Sequence, residues 1–217
     1  MPDVTIYLGN KNYSSWSLRA WLVLRRTGAA FDELVIPIRE KDSRETILRF
    51  SPSGKVPALH HKGTVVWDSL AIAEFLAETY PKIRLWPRDA VKRALARSVS
   101  SEMHAGFTDL RRTMPMNMRS SFPGREITPE AKADINRITA IWRDCRMKYG
   151  DGGDFLFGDF TIADAMFAPV VSRLKTYGVT LEDIPRSYSE AIWSLPDMQT
   201  WFDAARNEPW VIPNFEF

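Results

Sequence analysis

The chain has 217 residues with a net charge of +2, from 29 basic and 27 acidic side chains, and 45% of its residues are hydrophobic. This length allows one large domain or two modest ones, and the balanced charge, without a Lys/Arg block, argues against a nucleic-acid-binding surface. The one cysteine, Cys145, can form neither an internal disulfide nor a cysteine-based metal cage. We therefore expect no metal.

The sequence opens on a strand-like run, without a basic region followed by an apolar signal core. Its apolar stretches fall short of the roughly 20 residues needed to span a bilayer. We expect a cytoplasmic protein that has neither a membrane nor a nucleic acid as partner.

The first 80 residues alternate short apolar runs with amphipathic stretches in the order βαβαββα. The predicted strands are Val4–Leu8, Leu34–Ile38, Val56–His60 and Thr64–Trp67, and the predicted helices are Ser15–Arg26, Ser43–Phe50 and Ser69–Tyr80. A βαβ unit followed by a hairpin and a helix predicts a mixed four-stranded sheet, as in a thioredoxin-like α/β domain.

The strand signal stops after Tyr80, and Pro81–Arg88 is the predicted linker. The remaining predicted elements are all helices, at Asp89–Thr113, Pro129–Tyr149, Thr161–Tyr177, Tyr188–Ser194 and Pro196–Asn207. An α/β half followed by an all-α half predicts two domains, residues 1–80 and residues 89–217.

The first candidate site lies in the segment Asn12–Arg19, at the turn from the first strand into the first helix. In a thioredoxin-like unit the reactive group sits here, because the positive end of the helix stabilises an anion. Redox proteins of this shape carry Cys-x-x-Cys at this turn, whereas this chain has Ser14 and Ser17. A serine hydroxyl can still donate a hydrogen bond to a bound thiolate and lower the pKa of that thiol. The alternative is that these serines only cap the helix.

The second candidate site is Ser53–Leu59, where Pro57 stands next to an apolar strand. A cis Val56–Pro57 bond would turn the backbone N–H and C=O of Val56 outward, ready to pair with an extended peptide. The alternative is a proline that begins an edge strand to which nothing binds.

The third candidate site is Trp67–Leu76, where Asp68 and Ser69 stand at the start of a helix. A helix N-terminus and a serine hydroxyl suit a carboxylate, and an acidic side chain suits an ammonium group. A plain helix cap is the alternative. Combined, the three segments describe a site for a thiol, a peptide backbone and an amino-acid head along one sheet edge, which matches glutathione.

The Ser53–Leu59 pattern followed by Asp68–Ile72 closely resembles the glutathione-binding domain of cytosolic glutathione transferases. Ser14–Arg19 resembles the Ser-Ser-Cys-x-x-Arg motif of the zeta class, which includes maleylacetoacetate isomerases. Gly158–Asp164 resembles the helical-domain signature of the family, in which Thr161 and Asp164 form a capping box. The resemblance covers essentially the whole chain and implies a glutathione transferase fold of bacterial type: a thioredoxin-like N-terminal domain and an all-α C-terminal domain.

The resemblance also implies a role for each site residue. Ser14 would activate the glutathione sulfur, with Ser15 as the alternative. Val56, next to Pro57, would pair with the cysteinyl backbone, and Lys55 would hold the peptide or the glycine carboxylate. Asp68 and Ser69 would hold the γ-glutamyl end.

This chain departs from the zeta pattern at Trp16, which stands where that class has cysteine. The departure puts maleylacetoacetate isomerisation in doubt. Tyr7 and Tyr13 lie near the site in sequence, but they fit a strand residue and a loop aromatic better than sulfur activators.

The second substrate is expected between the first helix turn and the second half of the long helix predicted at Asp89–Thr113. The residues predicted to line its pocket are His104, Phe107, Thr108, Arg111 and Met114. Methionines suit a pocket for varied apolar electrophiles, and Met116 and Met118 follow closely. The alternative is that this stripe is core and that His104 has no catalytic role.

We therefore predict an enzyme that binds glutathione, favours its thiolate and presents it to a small hydrophobic electrophile. A glutathione-dependent isomerase or dehalogenase is the enzymatic alternative, and a non-catalytic glutathione-binding or scaffold protein is a further one. The resemblance implies a homodimer, in which acidic Glu74 and Glu78 of one subunit would face Lys92, Arg93 and Arg97 of its partner.

Overall fold

The computed structural model describes residues 3–217, and its first half is built on a four-stranded sheet of order β2-β1-β3-β4. The strands are β1 (Val4–Leu8), β2 (Asp32–Val35), β3 (Ala58–His61) and β4 (Thr64–Trp67), and the helices of this half are α1 (Ser15–Thr27), α2 (Ser43–Leu48) and α3 (Ser69–Thr79). Strand β1 pairs with β2 in parallel, and the β1–β3 and β3–β4 pairs are antiparallel. The predicted mixed sheet is confirmed.

Two strands begin away from their predicted positions. Strand β2 covers Asp32–Val35 because Thr5 lies opposite Asp32, so the pairing with β1 begins earlier than the apolar run suggests. Strand β3 begins at Ala58, because Pro57 has no N–H to donate to the ladder.

The second half is helical. Its helices are α4 (Ala90–Ala105), α5 (Thr108–Thr113), α6 (Pro129–Tyr149), α7 (Ile162–Thr176), α8 (Asp183–Trp193) and α9 (Pro196–Arg206). The prediction of one helix over Asp89–Thr113 is wrong, because the chain breaks between α4 and α5. Gly106 has an extended backbone, and Phe107 takes a left-handed one with φ of 59° while its ring is buried.

Helix α7 is the centre of the helical half and packs against both α1 and α4. One buried apolar cluster extends from the sheet through α1 into this half. The division into domains at residues 1–80 and 89–217 stays a prediction, since the two halves share this core.

The predicted capping box at the start of α7 is confirmed. The fully buried Asp164 accepts hydrogen bonds from the N–H of Thr161 at 2.8 Å and from the N–H of Leu156 at 3.1 Å. Burial raises the pKa of Asp164 to about 6, against the effect of these hydrogen bonds. These hydrogen bonds fix the segment that precedes α7 to the first turn of that helix.

The charges that we expected at a dimer interface are partly neutralised within the chain. Arg97 Nε lies 3.1 Å from a carboxylate oxygen of Glu74, and Lys92 pairs with Asp151. Arg93 donates to the Pro87 carbonyl at 3.0 Å. Four of the five residues therefore have partners within their own chain, and their pairing across a two-fold axis stays a prediction.

Candidate functional site

A cavity of about 570 Å³ opens where β4 ends, α3 begins and the first turn of α1 comes close. It is lined by Trp16, Ser53, Lys55, Val56, Pro57, Trp67, Asp68 and Ser69. The structure thus brings together the residues predicted from the second and third segments, together with Trp16. Ser14, the N-cap residue of α1, and Ser15, its first residue, are buried and are not among the lining residues.

The start of α3 combines a capped helix N-terminus with a buried serine hydroxyl. Asp68 caps the helix by accepting from Leu70 N at 2.9 Å and Ala71 N at 3.2 Å, with a left-handed φ of 76° that only the surrounding structure can enforce. The hydroxyl of Ser69 is buried and has no hydrogen-bond partner within residues 3–217. Such an orphaned group costs about 1–3 kcal/mol, which a ligand carboxylate would offset.

The segment before β3 presents backbone to the same cavity. The Val56–Pro57 peptide bond is cis, as predicted. In the described part of the chain, neither the N–H nor the C=O of Val56 makes a backbone hydrogen bond. These groups are therefore available to an extended peptide.

The two serines at the start of α1 use their hydroxyls differently. Ser14 is the N-cap residue: its Oγ donates to Ser17 Oγ at 2.8 Å and accepts from Ser17 N at 3.3 Å. Ser15 Oγ accepts from Nη2 of Arg173 in α7 at 3.3 Å, and residues 3–217 provide no acceptor for its proton. The proton of Ser14 is consumed inside the turn, whereas that of Ser15 can be donated to a ligand.

The loop before α1 is held by the C-terminal segment, which the sequence did not indicate. The carboxylate of Glu208 accepts from Lys11 N at 2.6 Å and from Asn12 N at 3.0 Å. Burial raises the pKa of Glu208, although these hydrogen bonds act in the opposite direction. The loop is thereby fixed from outside its own half.

Neither tyrosine near the site in sequence is among the residues that line the cavity. Tyr13 donates to Glu216 and accepts from Arg119 Nη2 at 2.8 Å, and burial raises its pKa. Tyr7 is buried and stacks on Phe50, with ring centroids 4.3 Å apart. The expectation that they are structural fits these contacts.

Trp16 lines the cavity, and its ring contacts two arginines and a histidine, of which Arg111 and His104 were predicted site residues and Arg19 was not. The guanidinium carbon of Arg19 lies 4.5 Å from its ring centroid, and that of Arg111 lies at 5.4 Å. The His104 ring meets the Trp16 ring edge-on at 5.2 Å. A tryptophan surrounded by cations gains cation–π attraction, so this position carries more than bulk.

His104 links this group to the start of α3. Its Nε2 lies 3.2 Å from a carboxylate oxygen of Asp68, so the cavity residue and the helical half are in contact. Burial lowers the pKa of His104, and the charges of Arg19 and Arg111 act in the same direction, while Asp68 opposes them. A neutral His104 at pH 7 donates its Nε2 proton to Asp68.

The residues predicted for the second-substrate pocket divide into two groups. His104 and Arg111 approach the cavity through Trp16, as described above. Phe107 is only 8% exposed and Met114 is fully buried, so both belong to the core and offer almost no surface to a substrate. Thr108 is exposed at the start of α5, away from the lining of the cavity. The second-substrate role of these residues stays a prediction.

Three further observations concern the cysteine, possible metal ligands and membrane-spanning helices. Burial raises the pKa of the Cys145 thiol to about 12, so this cysteine is protonated at neutral pH. Among residues 3–217, no three His, Cys, Asp or Glu side chains are grouped so that they could hold a metal ion. In the same range, every helix is too short or too polar to cross a membrane.

Comparison with known proteins gives consistent matches. Residues 13–79 match the model of the glutathione S-transferase N-terminal domain. The maleylacetoacetate isomerase of Rattus norvegicus is 29% identical over 83% of this chain and 82% of its own length. A probable maleylacetoacetate isomerase of Caenorhabditis elegans is 25% identical over 79% of this chain and 85% of its own length.

A solved structure supports the same assignment. A glutathione transferase homologue from Burkholderia, with glutathione bound, superposes over 96% of this chain and 100% of its own, with a TM-score of 0.73 and 26% identity. The sheet, the following helices and the cavity at the sheet edge define a glutathione transferase fold. Residues 13–79 carry a glutathione S-transferase N-terminal domain, and the chain as a whole is similar to glutathione transferases.

Proposed function

We propose that the protein catalyses attack of the glutathione thiolate on a small hydrophobic electrophile, with glutathione held in the cavity beside α3. The Val56 backbone would pair with the cysteinyl residue, and Lys55 would hold the peptide or the glycine carboxylate. Ser69 would receive the γ-glutamyl carboxylate, and Asp68 its ammonium group. The orphaned hydroxyl of Ser69 is the observation that carries this assignment, because it is buried at a helix N-terminus and lacks an acceptor.

A serine hydroxyl at the start of α1 would stabilise the thiolate. The hydrogen bonds favour Ser15 over Ser14, because the proton of Ser14 is already donated to Ser17. The enzyme contributes proximity and stabilisation of the anion. With an aromatic halide, the sulfur forms a bond to the ring carbon, the halide leaves with the bonding electron pair, and the thiol proton goes to solvent.

Two measurements test this proposal. Calorimetry should detect glutathione binding, and an aromatic halide should be conjugated at a rate proportional to enzyme concentration. Binding without turnover of any electrophile would favour the non-catalytic alternative. A protein that fails to bind glutathione would contradict the proposal altogether.

A glutathione-dependent isomerase is the second candidate, because relatives from rat and nematode carry that name. The substitution of Trp16 for the motif cysteine weighs against it. Isomerisation of maleylacetoacetate that depends on added glutathione would establish this activity, and a dehalogenase would instead release halide from a haloalkanoate.

We also propose a cytoplasmic homodimer, on the basis of the similarity to glutathione transferases alone. Size-exclusion chromatography with light scattering tests the oligomeric state at micromolar concentration. A particle of twice the 24.9 kDa chain mass is expected. The mass of one chain, unchanged by glutathione, would contradict the dimer.

A further inference from the structure

We infer that Arg173 of α7 sets the ionisation of the glutathione thiol from the helical half, by orienting the Ser15 hydroxyl and placing positive charge behind it. This inference rests on the proposed function, because it concerns thiolate stabilisation in the same site. Arg173 acts through Ser15 and is therefore a positioning residue.

The guanidinium of Arg173 is fixed in place and its charge is not neutralised. Its Nε donates to the Met114 carbonyl at 2.8 Å and its Nη1 to the Pro169 carbonyl at 3.1 Å. Both acceptors are uncharged, and the side chain is only 4% exposed. The remaining nitrogen, Nη2, points at Ser15 Oγ. No carboxylate of residues 3–217 forms an ion pair with it.

The surroundings add more positive charge than negative. Arg19 of α1 is fully buried, donates Nε to the Met166 carbonyl at 3.0 Å, and leaves Nη1 without a partner within the described residues. Arg111 of α5 is the third cation of this cluster, and the neutral His104 of α4 adds no charge. Two carboxylates and one phenol act on these cations: Asp68 on Arg19, Asp134 on Arg111 and Tyr177 on Arg173. Asp68 already caps α3 and contacts His104.

The pKa values of the cluster reflect this excess of positive charge. Burial, together with the smaller effect of the neighbouring charge of Arg111, lowers the pKa of Arg173 to about 10. Burial and the charges of Arg173 and Arg111 likewise lower the pKa of Arg19. Uncompensated buried cations are costly, and an anion placed near them is stabilised in return. A thiolate at the start of α1 would be that anion.

The hydrogen bond from Arg173 also determines what Ser15 can do. A hydroxyl oxygen that accepts from a cation becomes a stronger donor, and its proton must point away from that cation. The proton of Ser15 can therefore be donated only to an acceptor on the side that faces away from Arg173. Without Arg173, no other hydrogen bond within residues 3–217 would fix the orientation of the Ser15 hydroxyl.

The test is a pH titration of bound glutathione, followed by the ultraviolet absorbance of the thiolate. In the unaltered protein the thiol pKa should lie below the value of about 8.5 typical of a free thiol. In Arg173→Met we expect the ratio of thiolate to thiol at a given pH to fall about tenfold, which is a pKa increase of about one unit. The KM for glutathione should change by less than about threefold, because the peptide contacts remain.

Three further variants keep the test decisive. Arg173→Lys retains the charge without the planar fork and should give a thiol pKa between those of the unaltered protein and Arg173→Met. Combining Ser15→Ala with Arg173→Lys should raise the pKa by less than the sum of the two single effects. Arg143→Met removes an exposed arginine of α6 that pairs with Glu182, and it should leave the thiol pKa unchanged.

Some results would overturn the inference. If Arg173→Met folds and binds glutathione with the thiol pKa of the unaltered protein, Arg173 has no such role. If Arg173→Met does not fold, an unchanged thiol pKa in Arg173→Lys together with additive effects in the double variant leads to the same conclusion. If the unaltered protein does not lower the thiol pKa, the proposed thiolate activation fails first, and this inference fails with it.

Discussion

At the residue scale, the two neighbouring serines at the start of α1 are alike in sequence, and tertiary contacts give their hydroxyls different hydrogen bonds. The motif favours Ser14 as sulfur activator, and both serines fit a helix N-terminus. Their hydrogen bonds differ because Ser17 lies within reach of Ser14, whereas α7 brings Arg173 to Ser15. Pattern alone cannot distinguish these environments.

We expect Ser15→Ala to reduce kcat about 10- to 100-fold with little change in glutathione affinity. A hydrogen bond to a charged group is worth about 1.5–3 kcal/mol, and this one forms with the thiolate. Ser14→Ala is the matched control, and its kcat should fall less. Conjugation kinetics and calorimetry provide both quantities. The reverse order of the two variants would move the assignment to Ser14.

We expect Ser69→Ala to raise the Kd for glutathione while kcat stays close to that of the unaltered protein. Contacts to the remote γ-glutamyl end are similar in the ground and transition states, so they affect binding rather than chemistry. Ser98→Ala, on the exposed face of α4, controls for loss of a hydroxyl. Equal affinity of the two variants, measured by calorimetry, would refute the site.

His104 should make folding stability depend on pH. Burial lowers its pKa in the folded state below the ordinary value of 6.5, so the unfolded chain binds more protons between the two values. The neutral histidine therefore stabilises the fold above about pH 6.5, and this contribution is lost as the pH falls through the folded pKa. His104→Gln should lose less stability than the unaltered protein between pH 7.5 and pH 5, on the order of tenths of a kcal/mol, in urea unfolding. A parallel decline in both proteins would contradict the assignment.

At the scale of elements, the sequence predicted well where a segment's own signals determine its ends. Strands β1 and β4 and helix α6 have their predicted bounds, because alternation, a Lys62-Gly63 turn and a Thr128-Pro129 start are local features. The break between α4 and α5 was missed, because an apolar pattern continues through it. Burial of the Phe107 ring accompanies the break, and that burial depends on distant residues.

The capping box offers a stability test at this scale. Asp164→Ala removes the acceptor for two buried N–H groups, of Leu156 and Thr161, so we expect a loss of about 2–4 kcal/mol in the free energy of unfolding. Asp183→Ala is the control, because this aspartate lies exposed in the first turn of α8. Urea unfolding measures both. Equal losses would show that the box contributes no more than a surface carboxylate.

At the scale of the whole molecule, the site depends on contacts between the two halves. Lys55, Val56, Asp68 and Ser69 could be found from the sequence because each lies in a short motif. Arg111 was also predicted, but its grouping with Arg19 and Arg173 was not, because helices far apart in sequence bring the three arginines together. The same holds for Glu208, which clamps the loop before α1 from the C-terminal segment.

A crystal structure with glutathione bound tests the central claim most directly. The account predicts the glutathione sulfur within hydrogen-bonding distance of Ser15 Oγ, the cysteinyl backbone paired with Val56, and the γ-glutamyl carboxylate on Ser69. Glutathione bound outside this cavity, or with its sulfur beyond reach of both Ser14 and Ser15, would contradict it.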